Sequence, residues 1–167
     1  MKKLIFSIFL SVFACNLFAE TLTWEYIFTY IDRKFPKVKQ LEVERYEEEF
    51  INDSILIDVR NVREYEVSHI KNAIHSQSIE KIRNHFLLSK KKYMVLYCSV
   101  GVRSSKMASK LNRLGFDNVY NLKGSIFHWA NSGRPVYNKD GITNIVHPYN
   151  KTWGVLLDNK YHSQLSR

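Results

Sequence analysis

Cys98 ends an apolar run, Tyr93-Met94-Val95-Leu96-Tyr97, and opens the loop Cys98-Ser99-Val100-Gly101-Val102-Arg103. A thiol at the carboxyl end of a buried strand and ahead of a helix faces main-chain N–H groups and the positive end of the helix dipole, which both favour its anion. Such surroundings lower a cysteine pKa from about 8.5 to roughly 3.5–7.5, and the thiolate is the nucleophilic form. The spacing therefore predicts an ionised nucleophile at Cys98. Arg103 carries a permanently charged fork of donors, so it is expected to hold an anionic substrate or intermediate. Ser99, Val100, Gly101 and Val102 form the cradle between them, with main-chain N–H groups from Ser99 to Arg103 turned into the loop and Gly101 letting it curl. Ser104 or Ser105 is the expected cap of the helix that follows.

Ile55-Leu56-Ile57-Asp58-Val59 is a short β-branched run that fits a strand buried on both faces. A polar helix is expected around Val62 to Ser68, a brief strand at Ala73-Ile74, and a helix from Ile79 to Leu88. After the Cys98 loop, Met107, Ala108, Leu111 and Leu114 mark a helix, with Gly115 suited to its end. A strand over Asn118 to Leu122 and a helix over Gly124 to Asn131 follow. Strands alternating with helices imply an α/β fold, a single domain with a central parallel sheet covered by helices on both faces. Ligands bind such sheets outside the carboxyl ends of the strands, so Cys98 and the Asp58-Val59-Arg60 segment are expected neighbours. Asp58 and Arg60 are read as supporting residues that fix the loops by hydrogen bonds and an ion pair, and Glu64 as a partner for some basic neighbour.

Outside this unit, Lys2-Lys3, the apolar stretch Leu4 to Ala14 and Asn16-Leu17-Phe18-Ala19 read as a signal peptide over residues 1–19. The apolar stretch is shorter than the roughly 20 residues that cross a bilayer. Export, to the periplasm, is the expectation; an alternative is lipid anchoring at Cys15, which would be the chain's route to a membrane. Cleavage would remove Lys2 and Lys3 and no acidic residue, taking the formal charge from +9 to +7, and would leave Cys98 as a lone cysteine. A free thiol kept in an oxidising compartment points to chemistry more than to structure, and export disfavours a nucleic-acid partner despite the positive charge. Residues 20–40 are expected to hold an amphipathic helix burying Trp24, Ile27, Phe28, Ile31 and Phe35 and stopping at Pro36. The domain is placed at 41–137, opening with a short amphipathic helix that carries Tyr46 and Phe50. Residues 138–167 form an extension in which Trp153 to Leu157 pack back on the domain and the last residues are loose.

Asp58-Val59-Arg60, Glu64-Tyr65, His69-Ile70, Ala73-Ile74-His75, Cys98-x-x-Gly101-x-Arg103-Ser104, Leu122-x-Gly124 and Trp129 together resemble a single-domain rhodanese, over about Val43 to Pro135. The resemblance implies sulfur transfer: Cys98 takes the outer sulfur of a small anionic donor such as thiosulfate and passes it from a persulfide to cyanide, a thiol or a protein acceptor. It calls for no cofactor and no metal, and His69 and His75 have no ligand set around them. Related phosphatases and arsenate reductases place five residues between cysteine and arginine, whereas this loop places four, a cradle better suited to a sulfur atom than to a tetrahedral phosphate. A rhodanese-like module that binds or carries sulfur without turnover is the other alternative. Ser68, Asn72 and Ser125 stand where the family commonly has glycine, and Arg103 is the loop's lone charge, which weakens the case for a dianionic donor.

Overall fold

The strand that leads into Cys98 sends its side chains alternately into two separate cores. The computed structural model describes residues 22–163, so the expected signal peptide, Cys15 and residues 164–167 lie outside the described residues. In chain order the strands of the main sheet are β1 (Lys39–Leu41), β2 (Ser54–Asp58), β3 (Ile74–His75), β4 (Tyr93–Tyr97) and β5 (Val119–Leu122). They lie in the order β1-β5-β4-β2-β3 with every neighbouring pair parallel. The helices are α1 (Trp24–Lys34), α2 (Val43–Arg45, running on as a π-helical turn over Tyr46–Phe50), α3 (Val62–Val67), α4 (Ile79–Ser89), α5 (Val102–Arg113), α6 (Ser125–Asn131) and α7 (Lys151–Gly154).

A pleated strand turns successive residues to opposite faces. Val95 and Tyr97 of β4 therefore join Leu56, Ile27, Ile31, Phe127 and Trp129 in one core, under α1, α2 and α6. Met94, Leu96 and Cys98 join Ile55, Ile57, Ile82, Ala108 and Leu111 in the other, under α4 and α5. Burial on both faces explains why β2 and β4 read as unbroken apolar runs. From β2 the chain steps outward to β3 and returns to the other side of β2 as β4, which makes the crevice between β2 and β4 a topological switch point. Asp58 faces Tyr97 in the register of that pair, so the Asp58-Val59-Arg60 segment and Cys98 emerge side by side.

Local chemistry sets the element ends. Thr23 caps α1 by accepting from Tyr26 N–H at 3.2 Å, and α1 stops at Lys34, ahead of Pro36. Lys39–Leu41, past the expected helix stop at Pro36 and across the boundary drawn at residue 40, is the edge strand β1; polar Lys39 and Gln40 leave no period to read, and pairing with β5 makes the strand. Ser104 and Ser105 do not cap α5: both are buried inside it, and the N-cap is Gly101 at φ 109°, a conformation that suits glycine. Ser68 is extended at φ −170°, which any residue adopts, while Asn72 takes the left-handed φ of 62° that asparagine tolerates.

Beyond α6, β6 (Val136–Asn138) and β7 (Gly141–Thr143) form an antiparallel hairpin whose Tyr137 exchanges two main-chain hydrogen bonds with His69. Val146, Leu156 and Leu157 then enter the same core as Tyr97 and Trp129. Asn131 clasps this stretch, its Nδ2 donating to Leu156 O at 2.8 Å and its Oδ1 accepting from Asp158 N–H at 2.9 Å. Leu157→Ala is expected to cost about 2–5 kcal/mol, seen as a lower urea midpoint in one cooperative transition. A separate early transition for the extension would show it not to share the core.

Candidate active site

Cys98 is buried, and its main chain is fastened to the start of α6. Its N–H donates to Ser125 Oγ at 3.1 Å, and its carbonyl accepts from Ile126 N–H at 3.2 Å; Ser99 O accepts from Phe127 N–H at 3.1 Å. Ser125 Oγ in turn donates to Leu122 O at 3.1 Å. Gly124 before it sits at φ 68°, where a Cβ would meet His128 Cβ at 2.4 Å, so the turn into α6 needs glycine there.

Among the described residues, the donor in hydrogen-bond geometry to the Cys98 sulfur is Gly101 N–H, at 3.2 Å. Of the expected cradle of N–H groups from Ser99 to Arg103, Gly101 supplies the closest amide, and Ser104 N–H, one residue beyond that span, also favours the thiolate. The N–H groups ahead of Ser105, whose own N–H donates to Gly101 O, have no partner within α5 and face its start, where Cys98 lies. Gly101 is also hemmed in, since a Cβ there would lie 3.0 Å from Ile31 Cδ1 and 3.1 Å from Asn121 Nδ2. Ser104 Oγ donates to Asn121 Oδ1 at 2.5 Å, and Asn121 Nδ2 donates to Gln40 Oε1 at 2.7 Å, which ties α5 to β5 and β1 beneath the loop. Burial pushes the Cys98 thiol up, but the Arg103 charge and donors from Ser104 and Gly101 more than offset it, and the group lies below its ordinary value.

Arg103, expected to hold an anion, is itself held by a carboxylate of the protein. Its Nη1 donates to Glu64 Oε2 and its Nη2 to Glu64 Oε1, both at 2.7 Å, and Nη2 also donates to Ser99 Oγ at 2.9 Å. Glu64, only 2% exposed, further accepts from Ser99 Oγ at 3.0 Å and from Asn61 N–H at 3.1 Å, the latter as half of a capping box. Burial raises the Glu64 pKa, and hydrogen bonds and charge from Arg103 bring it below the ordinary carboxylate value. The guanidinium face is covered by the Tyr149 ring at 4.6 Å. Its charge remains near Cys98 while its terminal nitrogens belong to Glu64.

Asp58 and Arg60 form a fully buried pair on the neighbouring strand end, with Arg60 Nη2 donating to Asp58 Oδ2 at 2.7 Å and to Ser68 O at 2.5 Å. The Arg60 main-chain N–H donates to Asp58 Oδ1 at 2.9 Å, and His75 Nε2 donates to Arg60 O at 2.7 Å. These bonds reach protein atoms on β3 and the loop after α3, so the pair shapes the crevice from below. Arg134, with two carboxylates of its own, Glu44 and Glu47, stands apart from the site.

Above the sulfur is a hollow of about 100 Å³ lined by Cys98, Ser99, Val100, Val102, Arg103, Tyr149 and Trp153. The expected packing of Trp153 to Leu157 on the domain did not extend to Tyr149, and nothing in the spacing of Tyr149 and Trp153 announces that they line the hollow at Cys98. Glu64 was readable as a capping residue from Asn61-x-x-Glu64, but its tie to Arg103 spans 39 positions. Ser125, readable only as a departure from a glycine, holds the nucleophile's own amide.

Residues 42–132 match the family described as Rhodanese-like domain, more than half of the chain, and the chain belongs to that family. A tRNA uridine(34) hydroxylase from Hamiltonella defensa is 37% identical over 89 residues, which are 49% of this chain and 25% of that protein. The chain thus spans about a quarter of the length of the curated relatives it matches. Among solved structures, a thiosulfate sulfurtransferase from Pseudomonas aeruginosa superimposes with TM-score 0.56 at 17% identity, over 69% of this chain and 23% of that one. A protein of unknown function from Rhodopseudomonas palustris, described as a possible tyrosine phosphatase, gives 0.54 at 20% identity over 70% and 95%. At those identities the two structures establish the fold alone.

Alkylation of Cys98 by iodoacetamide, followed against pH, is expected to rise through a midpoint below that of a free thiol. Arg103→Ala should move the midpoint upward, since a positive charge that favours the thiolate is gone; an unchanged midpoint would deny Arg103 that influence. Asp58→Asn, which leaves Arg60 buried and unpaired, is expected to cost about 3–5 kcal/mol in urea unfolding.

Proposed function

We propose that this rhodanese-like domain is a sulfurtransferase that moves sulfane sulfur from thiosulfate or a related donor to a thiol or cyanide through a persulfide on Cys98. The observation that carries the reading is Cys98 at the switch-point crevice with Gly101 N–H on its sulfur, at the foot of a four-residue loop. In the first half-reaction the thiolate attacks the donor's outer sulfur, the donor's S–S bond breaks, and sulfite leaves from thiosulfate. The Cys98 persulfide then carries the negative charge on its outer sulfur. In the second, a thiolate or cyanide attacks that sulfur and Cys98 departs as the thiolate again. Two half-reactions through a covalent intermediate give ping-pong kinetics.

A small hollow beside a four-residue loop suits a sulfur atom held end-on better than the three equatorial oxygens of a transferring phosphoryl group, which favours this over phosphatase chemistry. The hydroxylase likeness supplies the domain and not the reaction on tRNA, because the shared stretch is a quarter of that relative. Export to the periplasm belongs to the reading as well, on the strength of Lys2-Lys3 and the apolar Leu4 to Ala14; fractionation of cells tests it independently.

Mass spectrometry after thiosulfate treatment is expected to find a gain of about 32 Da on Cys98 that is reversed by cyanide and absent in Cys98→Ser. A sulfur that stays on Cys98 in the presence of cyanide and thiols would make the domain a carrier. Phosphate release from an aryl phosphate, without any gain on Cys98, would replace the reading with phosphatase chemistry.

A further inference from the structure

The geometry points to Tyr149 and Trp153, which lie beyond the matched residues 42–132, as specificity-determining residues that fit the Cys98 hollow to a sulfane sulfur on an organic carrier of at most one negative charge, in preference to an inorganic dianion. The inference rests on the sulfur-transfer reading and names the donor class for it. Three observations carry it.

The first is what the hollow offers. Val100, Val102, Tyr149 and Trp153 give it apolar walls, and its volume of about 100 Å³ takes the donor's terminal sulfur while half-exposed Tyr149, at the mouth, is left to meet the carrier's apolar part. The second is what it withholds. Arg103, the cation of the lining, has both terminal nitrogens on Glu64 and its face under Tyr149, so the Arg103–Glu64 pair adds little net charge to meet a second negative charge on a donor. The third is that the aromatic wall is built in place. Tyr149 sits at φ 64°, sparsely populated for a residue with a Cβ, and its N–H donates to His147 Nδ1 at 2.9 Å. Asn150 caps α7 by accepting from Trp153 N–H at 3.0 Å, and buried Val146, Leu156 and Leu157 hold both ends of the segment. A wall ordered beforehand favours the ligand whose apolar part it touches.

The step balances with an organic thiosulfonate. The Cys98 thiolate attacks the terminal sulfur of R–SO2–S⁻, a Cys98 S–S bond forms, the donor's S–S bond breaks, and the sulfinate R–SO2⁻ leaves with its electron pair. One singly charged anion enters and one leaves, whereas thiosulfate enters with two charges.

With the full chain and cyanide as acceptor, kcat/KM for benzenethiosulfonate is expected to exceed that for thiosulfate by about tenfold or more, the range a hydrophobic pocket contributes. Tyr149→Ala and Trp153→Ala should each shrink that ratio by about five- to tenfold through a higher KM for benzenethiosulfonate, and Tyr149→Phe should keep it. If Tyr149→Ala fails to fold, Tyr149→Leu carries the same expectation. A ratio near one in the wild type, or a ratio untouched by both truncations, overturns the inference while leaving sulfur transfer intact. A readout free of sulfur transfer uses two aromatic disulfides, neutral dithiodipyridine and dianionic dithiobis(nitrobenzoate), with labelling mapped to Cys98. The neutral reagent should be faster by about tenfold, and Tyr149→Ala should narrow the gap by exposing the Arg103 face. Should no donor persulfidate Cys98, sulfur transfer falls, and equal labelling by the two reagents would overturn the selective wall as well.

Discussion

One buried carboxylate holds the site together. Glu64 receives four hydrogen bonds, from Asn61 N–H, from Ser99 Oγ and two from Arg103, so the start of α3, the Cys98 loop and the first turn of α5 converge on it. Removing a charge from water is costly, and a buried ion pair persists only when geometry and further hydrogen bonds satisfy it. Here both carboxylate oxygens are satisfied twice, and the arrangement extends outward, because Arg103 fixed by Glu64 offers Tyr149 a flat cationic face. The loop that positions the nucleophile is thus defined by a residue 34 positions before it as much as by its own sequence.

That fixation separates two tasks that one arginine is usually asked to perform. A charge lowers the energy of a nearby thiolate without touching it, since Coulomb attraction falls only as the inverse of distance and is weakly screened in a buried site. Direct recognition of an oxyanion needs the nitrogens themselves, and three of the five guanidinium N–H groups already go to Glu64 and Ser99. Contact with the sulfur falls to main-chain N–H groups, Gly101 the closest, at the dipole-positive start of the twelve-residue α5. The site so built favours one negative charge, on sulfur, and leaves little over for another.

The elements that residue pattern revealed are those whose signal is local. β2 and β4 announce themselves as β-branched apolar runs, α5 by Met107, Ala108 and Leu111, and the adjacency of Asp58 and Cys98 follows from the rule for parallel sheets. What stayed hidden depends on distant partners. β1 is three residues long and exists by pairing with β5; Ser104 and Ser105 look like caps until Gly101 takes that place; Arg103 looks free until Glu64, 39 positions away, is folded against it. The extension was the least legible part, because Val146, Tyr149, Trp153, Leu156 and Leu157 follow no helical or strand period. Their order comes from one polar clasp at Asn131, one cap at Asn150 and the existing core, and none of these leaves a periodic trace.

Ser125 shows how a departure from the expected residue type can still serve the nucleophile. At φ 54° it occupies the left-handed region, where a residue with a Cβ is disfavoured by about 1–2 kcal/mol, and glycine would relieve that strain. A glycine would also remove Oγ, which accepts from Cys98 N–H and donates to Leu122 O. Each such buried bond contributes about 0.5–1.5 kcal/mol, and losing the acceptor would leave the Cys98 amide unsatisfied inside the protein at about 1–3 kcal/mol more. The hydroxyl therefore outweighs the strain, and the net effect is positional: the main chain of Cys98 is held from β5 and α6 on one side while Gly101 approaches the sulfur from the other. A nucleophile clamped at both its amide and its sulfur needs little reorganisation to reach a donor, which is the condition under which well-placed N–H groups stabilise a developing anion.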